Sequence, residues 1–313
     1  MHHDAATPAT TPCLQGRVLA VTGGAGAIGR EIALLAARHG ARVLVNDIGG
    51  AVDGSGGDHH AAEQVAQAIR TQGGEAQAST DSVATAAGAA RIVQAALDHF
   101  GRIDCVVNNA GNARNAIFHK MAVDDWEAVL QVHLHGSFYL SRAAAPHLRA
   151  QQSGAFVHMT STGGLVGNVG QANYMAAKMA LTALSKGIAL DMGRFGVRSN
   201  CVAPLAKSRL TALFDAGDAA ARARGASFDR LPAAAVAPLV VYLCSDAAAD
   251  VSGQVLVARG SEILVMSQPR PLRAMHRDGG WTVDSLARHG MPGLRPAFVP
   301  MEQSGDVFSW EPL

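Results

Sequence analysis

Excess charge of either sign is missing from this chain of 313 residues: 26 lysines and arginines stand against 25 acidic residues, a formal charge of +1. That balance builds in no general attraction to phosphate backbones or anionic lipid, so nucleic acid and membrane surfaces are not expected partners. Long apolar runs are missing too, since no stretch approaches the roughly 18 residues of a membrane span. The opening MHHDAATPATTPC has neither a cationic region nor an apolar core, so it does not read as a secretory signal, and a soluble cytoplasmic protein is expected. Cysteine is sparse: Cys13, Cys105, Cys201 and Cys244 are scattered without paired spacing, which fits buried thiols in a reducing compartment better than a disulfide frame or a zinc site. The 13 histidines include no His-Glu-x-x-His pattern, and His59-His60 and His133/His135 lack matching partners, so no metal is expected. Aromatics are only 5% of the chain, but 49% is apolar, ample aliphatic material for a core. A chain of this length buries roughly three quarters of its unfolded surface, which excludes disorder as the main state.

Residues 1–14, polar and rich in Ala, Thr and Pro, read as a flexible leader. From there short β-branched runs alternate with longer helical stretches. Strands are expected at 18–22, 42–46, 75–79 (weakly), 104–108, 155–160, 197–203 and 255–258. Helices are expected at 27–39, 60–72, 84–99, 123–150 and 171–194, with helical segments between 207 and 246. Strands apolar on both faces in this alternation predict a single doubly wound α/β domain over 15–262, one parallel sheet between helical layers. After residue 262 the rhythm stops. Residues 263–313, rich in Pro, Gly and Arg and holding Trp281 and Trp310, read as an irregular C-terminal extension laid over a surface.

Directly after the first strand stands Thr22-Gly23-Gly24-Ala25-Gly26-Ala27-Ile28-Gly29, opening a helix. Small residues there let the backbone approach a pyrophosphate, whose charge sits on the helix N-terminal amides. Alone, such a run is equally an ordinary turn. Asp47, eighteen positions beyond Gly29 at the end of the second strand, adds the acceptor for the adenosine ribose hydroxyls and would repel a 2′-phosphate, which favours NAD over NADP. Its bland alternative is a strand-end Asp capping a loop. Asp81-Ser82 follows the third strand and Asn108-Asn109-Ala110-Gly111 the fourth. Both make ordinary turns, but both also fall at carboxyl ends of parallel strands, where ligands bind in open α/β sheets.

Tyr174 and Lys178, four apart early in a helical segment, share a face. Lowering a phenol from about 10 to about 7 takes about 4 kcal/mol, which a desolvated site with Lys178 and a nicotinamide cation can supply and an exposed lysine cannot. Ser161 ends the fifth strand thirteen residues earlier, and a link holding Gly163, Gly164, Gly167 and Gly170 can fold it back toward the phenol. Serine then hydrogen-bonds the substrate oxygen while tyrosine exchanges a proton with it. The alternative is a surface helical pair and a loop cap.

A Thr-Gly-rich loop, Asn-Asn-Ala-Gly, and Ser with Tyr-x-x-x-Lys, in order over about residues 15–260, resemble the short-chain dehydrogenase/reductase family. The resemblance implies a Rossmann-type seven-stranded parallel sheet, a nicotinamide cofactor, and homodimers or homotetramers built on the long helices flanking the fifth strand. It implies that Ser161 orients substrate, Tyr174 is the acid/base, and Lys178 holds the ribose and lowers the tyrosine pKa. It also implies cofactor contacts at Gly23, Gly26, Ala27, Ile28, Gly29, Asp47, Asp81, Ser82, Asn109, Ala110, Gly111 and Pro204.

A narrower resemblance rests on the Asp53-Gly54-Ser55-Gly56-Gly57 insertion, Val132-His133-Leu134-His135-Gly136, Gly170-Gln171-Ala172-Asn173-Tyr174 and Ala203-Pro204-Leu205. These are similar to the dehydrogenase part of peroxisomal multifunctional enzyme type 2 and its stand-alone bacterial relatives. That implies NAD-dependent oxidation of a secondary alcohol, a 3-hydroxyacyl-CoA or a steroid-CoA. His133 stands where most of the wider family has an Asn that holds a relay water; it takes that role or is a core residue. Pro204-Leu205 replaces the usual Pro-Gly, and Ala258-Arg259-Gly260-Ser261 the usual closing turn. Substrate choice is expected at residues 112–122, in a helical flap at 207–232 and in the tail. There Arg270, Arg273 and Arg277 either meet CoA phosphates or are simply solvated. A hydroxysteroid dehydrogenase and a non-catalytic NAD-binding sensor remain as rival readings.

Overall fold

The computed structural model describes residues 12–209, 211 and 228–311. Most of the expected leader and most of the expected flap lie outside the described residues.

Eight strands form one sheet in the order β3-β2-β1-β4-β5-β6-β7-β8. They are β1 Val18–Thr22, β2 Arg42–Asn46, β3 Glu75–Ser79, β4 Cys105–Asn108, β5 Gly154–Met159, β6 Val197–Leu205, β7 Val255–Arg259 and β8 Glu262–Val265. The first seven pair in parallel, and β8 pairs antiparallel with β7. The expected seven-stranded parallel sheet therefore gains an eighth, antiparallel edge strand. Gly260, at φ +57°, turns the chain back on itself, and the sheet runs to Val265, past the expected end of the domain at 262. At the other end Leu14 is fully buried and its N–H donates to the carbonyl of His39 at 2.9 Å, so packing already includes the last residue of the expected leader.

Helices cover both faces: α1 Ala27–Arg38, α2 Ala61–Thr71, α3 Ala86–Phe100, α4 Val123–Leu130, α5 Gly136–Gln151, α6 Thr162–Leu165, α7 Ala172–Met192 and α8 Ala237–Cys244. Alternate strand residues face opposite layers. Leu19 and Val21 pack with Ile32, Ile69 and Val240, whereas Val18 and Ala20 pack with Ile92, Leu140 and Phe156. Each helix carries its own signals. In α2 the buried residues Ala62, Val65, Ala66 and Ile69 form one stripe. In α3 the Thr85 hydroxyl accepts the Gly88 N–H, and Gly101 at φ +78° ends the helix. The single helix expected at 123–150 is two, joined by a π-helical turn over Gln131–His135.

Strand order reverses between β1 and β4, which opens a crevice at their carboxyl ends. No helix among the described residues is long and apolar enough to cross a membrane. All four cysteines are free thiols, and Cys105, Cys201 and Cys244 are buried.

Candidate active site

The glycine run after β1 is locked to the end of β4. The Thr22 hydroxyl accepts the N–H groups of Asn109 and Ala110, each at 3.1 Å, while Asn109 Nδ2 donates to the carbonyls of Thr22 and Gly23 at 2.9 and 3.1 Å. At Gly23 and Gly29 no side chain fits. Gly23 has φ +61°, and a Cβ on Gly29 would lie 2.2 Å from the Gly23 carbonyl oxygen. Backbone N–H groups at the α1 N-terminus thus stay open to an anion.

Asp47 is nearly buried at the end of β2. Its carboxylate accepts the N–H of Ala25 at 2.9 Å and the N–H of Gly49 at 2.8 Å, one on each oxygen. Each oxygen keeps a lone pair for a further donor. The side chain therefore joins the phosphate-facing loop to the insertion that follows β2. That insertion closes one wall of the crevice: Ala113 N donates to the Val52 carbonyl at 2.9 Å, and Arg209 Nη1 to the Gly50 carbonyl at 3.0 Å.

The crevice is lined by Gly23, Gly26, Ala27, Ile28, Gly29, Asp47, Asp81, Ser82, Asn109, Ala110, Gly111, His133 and Lys178 of the expected set, joined by Val52, which the motifs do not single out, and by Asn112 and Arg209 from the two segments expected to set substrate choice. Pro204 is absent from that lining. It lies inside β6, paired with Ala258, because the strand runs two residues further than its apolar run. Asp81 also pairs with Arg91 at 2.5 Å, and Ser82 Oγ accepts the Ala84 N–H at 3.2 Å. A cradle closed to side chains at Gly23 and Gly29, open helix amides and a carboxylate with spare lone pairs fit a dinucleotide.

Ser161, Tyr174 and Lys178 converge beside this crevice. Ser161 caps α6, its Oγ accepting the Gly163 N–H at 3.1 Å, and its side chain lies near the Tyr174 hydroxyl. The start of α7 is fixed by Asn173, fully buried, which donates to the carbonyls of Arg114 and Asp125 and accepts the Tyr174 N–H at 2.8 Å. One turn on, Lys178 is only 5% exposed; its ammonium donates to the Met159 carbonyl at 2.5 Å and lies 5.6 Å from the Tyr174 ring centroid. Burial pushes the Lys178 amine down from 10.5 to about 7. It pushes the Tyr174 phenol above 10, with the nearby Ser161 side chain pulling the other way.

His133, in the π-helical turn, stands edge-on to Tyr174 with ring centroids 5.3 Å apart. Such turns collect at functional sites. Burial, then the charge of Lys178, hold its pKa well below 6.5, so the ring is neutral. Nε2 lies 2.8 Å from the Asn112 carbonyl oxygen and 3.1 Å from the Asn112 nitrogen, and Nδ1 has no partner. Gly111 is required here, since a Cβ would meet the imidazole at 2.4 Å. Asn112 and Asn173 are thus supports that motif reading overlooks, because their partners are distant in sequence.

The short chain dehydrogenase family model matches residues 17–212. A hydroxyacyl-CoA dehydrogenase of Mycobacterium tuberculosis is 38% identical over 277 residues, 86% of this chain and 85% of that protein. The peroxisomal multifunctional enzyme type 2 of Mus musculus is 40% identical over 245 residues, 78% of this chain but only 32% of the larger enzyme. The crystal structure of a short chain dehydrogenase from Mycobacterium avium superposes with a TM-score of 0.79 at 36% identity, covering 92% of this chain and 97% of the other. With a family model spanning more than half its length, and the glycine loop, Ser161, Tyr174 and Lys178 in the order that the family requires, the chain belongs to the short-chain dehydrogenases, oxidoreductases acting on CH–OH groups.

Proposed function

We propose that this enzyme is an NAD-dependent dehydrogenase that oxidises the secondary alcohol of a 3-hydroxyacyl-CoA thioester, or a steroid-CoA analogue, to the ketone. The observation that carries the reaction is the meeting of Ser161, Tyr174 and buried Lys178 beside the glycine cradle. The loop at Gly23–Gly29 and the α1 amides hold the pyrophosphate. Asp47 accepts the ribose hydroxyls on its spare lone pairs and repels a 2′-phosphate, which selects NAD. NAD supplies the hydride acceptor when bound.

The chain's own residues manage the proton. Ser161 Oγ holds the alcohol oxygen, and Tyr174, as phenolate, takes the hydroxyl proton. Charged Lys178 favours that phenolate and binds the nicotinamide ribose. His133, neutral and with Nδ1 unpaired, can hold a relay water behind Lys178. The thioester reading draws on the hydroxyacyl-CoA dehydrogenase relative and on the sequence blocks shared with the multifunctional enzymes. Exposed Phe138 on α5 and Met179 on α7 support a homodimer or homotetramer built on those helices, and a cytoplasmic location is part of the same reading.

NADH formation from a 3-hydroxyacyl-CoA, its free acid and a hydroxysteroid tests the assignment, with Tyr174→Phe expected to lower kcat by about a thousandfold. Equal or faster turnover of the sterol displaces the thioester, and a fully active Tyr174→Phe enzyme removes the mechanism.

A further inference from the structure

The C-terminal extension has no part in the chemistry above, yet it is fastened to the domain at several places, two of which bear on the site. At the sheet edge, Arg259 is buried, pairs with Glu262, donates to the Trp310 carbonyl and lies under the indole, its guanidinium 4.9 Å from the ring. Trp310 Nε1 returns a hydrogen bond to Glu262 at 2.7 Å. At the active-site mouth, Ser304 Oγ donates to Thr162 Oγ1 at 2.7 Å and Ser304 N to the Gly167 carbonyl at 2.8 Å. Ser304 is only 7% exposed and Thr162 3%. Thr162 directly follows Ser161, so the tail is tied to the residue next to the substrate-facing hydroxyl.

The same loop joins a third segment. The Val169 N–H donates to Gln303 Oε1 at 3.4 Å, and the Ala116 N–H donates to the Gly170 carbonyl at 3.0 Å. Residues 116–118, 167–170 and 301–304 are therefore contiguous beside Ser161. Ile117 and Phe118 are exposed on them, Val169 is 70% exposed and Met301 fully so, beside exposed Glu302 and Gln303. Apolar side chains gathered at the edge of a catalytic crevice mark a ligand surface.

We propose that residues 301–304 are a specificity element. Held by Ser304 against Thr162, they form with Ile117 and Val169 an apolar rim that takes the extended hydrocarbon part of the alcohol substrate. The inference rests on the dehydrogenase reading of Ser161 and Tyr174, but not on the thioester. Each methylene buried on the rim raises kcat/KM by about fourfold, so two or three lost methylene contacts change it by more than about tenfold.

The test uses the full chain with two homologous series, racemic 3-hydroxyacyl-CoA esters from butyryl to palmitoyl length and plain 2-alkanols. The wild type is expected to favour longer members through a falling KM. Ser304→Val, which unties the tail, and the surface pair Val169→Asp with Met301→Asp, which leaves packing untouched, are each expected to lower the long-over-short ratio of kcat/KM by about tenfold, mainly through KM. A flat wild-type series overturns the proposal, as does a ratio unchanged in the surface pair. An equal loss on short and long substrates in both variants overturns it as well, since the tail then only braces Ser161. Turnover of the alkanols alone, with the length preference present and lost in the variants, sinks the thioester reading and upholds the rim.

Discussion

Lys178 lowers the stability of the fold that holds it, and Lys178→Met exposes the size of that cost. The amine moves from 10.5 to about 7 on burial. At about 1.36 kcal/mol per unit, this opposes folding by about 5 kcal/mol below pH 7, by about 4 kcal/mol at pH 7, and by almost nothing above pH 10.5. The sign follows from proton counts. Between the two pKa values the unfolded chain binds more protons than the folded one, so wild-type stability gained from this group rises with pH. Methionine keeps an unbranched stem and removes the charge, but leaves the Met159 carbonyl without its donor, which returns about 1–3 kcal/mol. The net expectation is a coenzyme-free variant about 2 kcal/mol more stable at pH 7, with Tm higher by about 3 °C, and a gain that vanishes toward pH 10. Thermal or urea melts across that range measure it, alongside an assay in which turnover is lost. A variant no more stable at pH 6 refutes the reasoning, and so does a gain as large at pH 10 as at pH 6.

The dinucleotide end yields two further tests. Asp47→Ala removes the acceptor for the Ala25 and Gly49 N–H groups as well as for the ribose; it is expected to lower kcat/KM for NAD by about tenfold or more and to narrow the preference over NADP, as steady-state kinetics with both coenzymes will show. Gly29→Ala places a methyl 2.2 Å from the Gly23 carbonyl and 2.7 Å from Asn109 Nδ2, backbone and side chain already bonded to each other. It is expected to cost about 1–3 kcal/mol in denaturant melts and to abolish NAD binding by calorimetry. Normal binding would mean that the loop yields.

The parallel sheet was legible because its strands other than β3 are short runs rich in apolar residues on both faces, and because Gly23, Asp47 and Asn109 carry their meaning in position relative to a strand end. What stayed hidden depends on contacts between distant residues. The eighth strand is only Glu262–Val265, with Ile263 and Val265 exposed, and its partner is set by the turn at Gly260 rather than by its own pattern. The break between α4 and α5 carries no proline or glycine within it, since Gln131–His135 reads as continuous helix. Arg259 looked like a departure from a closing turn, and is a buried cation clamped between Glu262 and Trp310. Ser304 is one serine in a polar tail; only the fold brings it to Thr162.

The two reactive groups also explain why neither is poised without the other. Burial favours the neutral form of both, raising the phenol of Tyr174 and lowering the amine of Lys178. Alone, each would be uncharged at neutral pH or close to it. A phenolate and an ammonium on one buried face, with the Lys178 nitrogen 5.6 Å from the Tyr174 ring centroid, offset part of each other's desolvation when both are charged. The positive charge of an oxidised nicotinamide favours the same state, and a reduced ring does not. Under the proposed mechanism, proton acceptance by Tyr174 is thereby tied to a site loaded for oxidation. The low polarity that makes Lys178 costly to fold is what lets one added charge decide whether the phenol ionises.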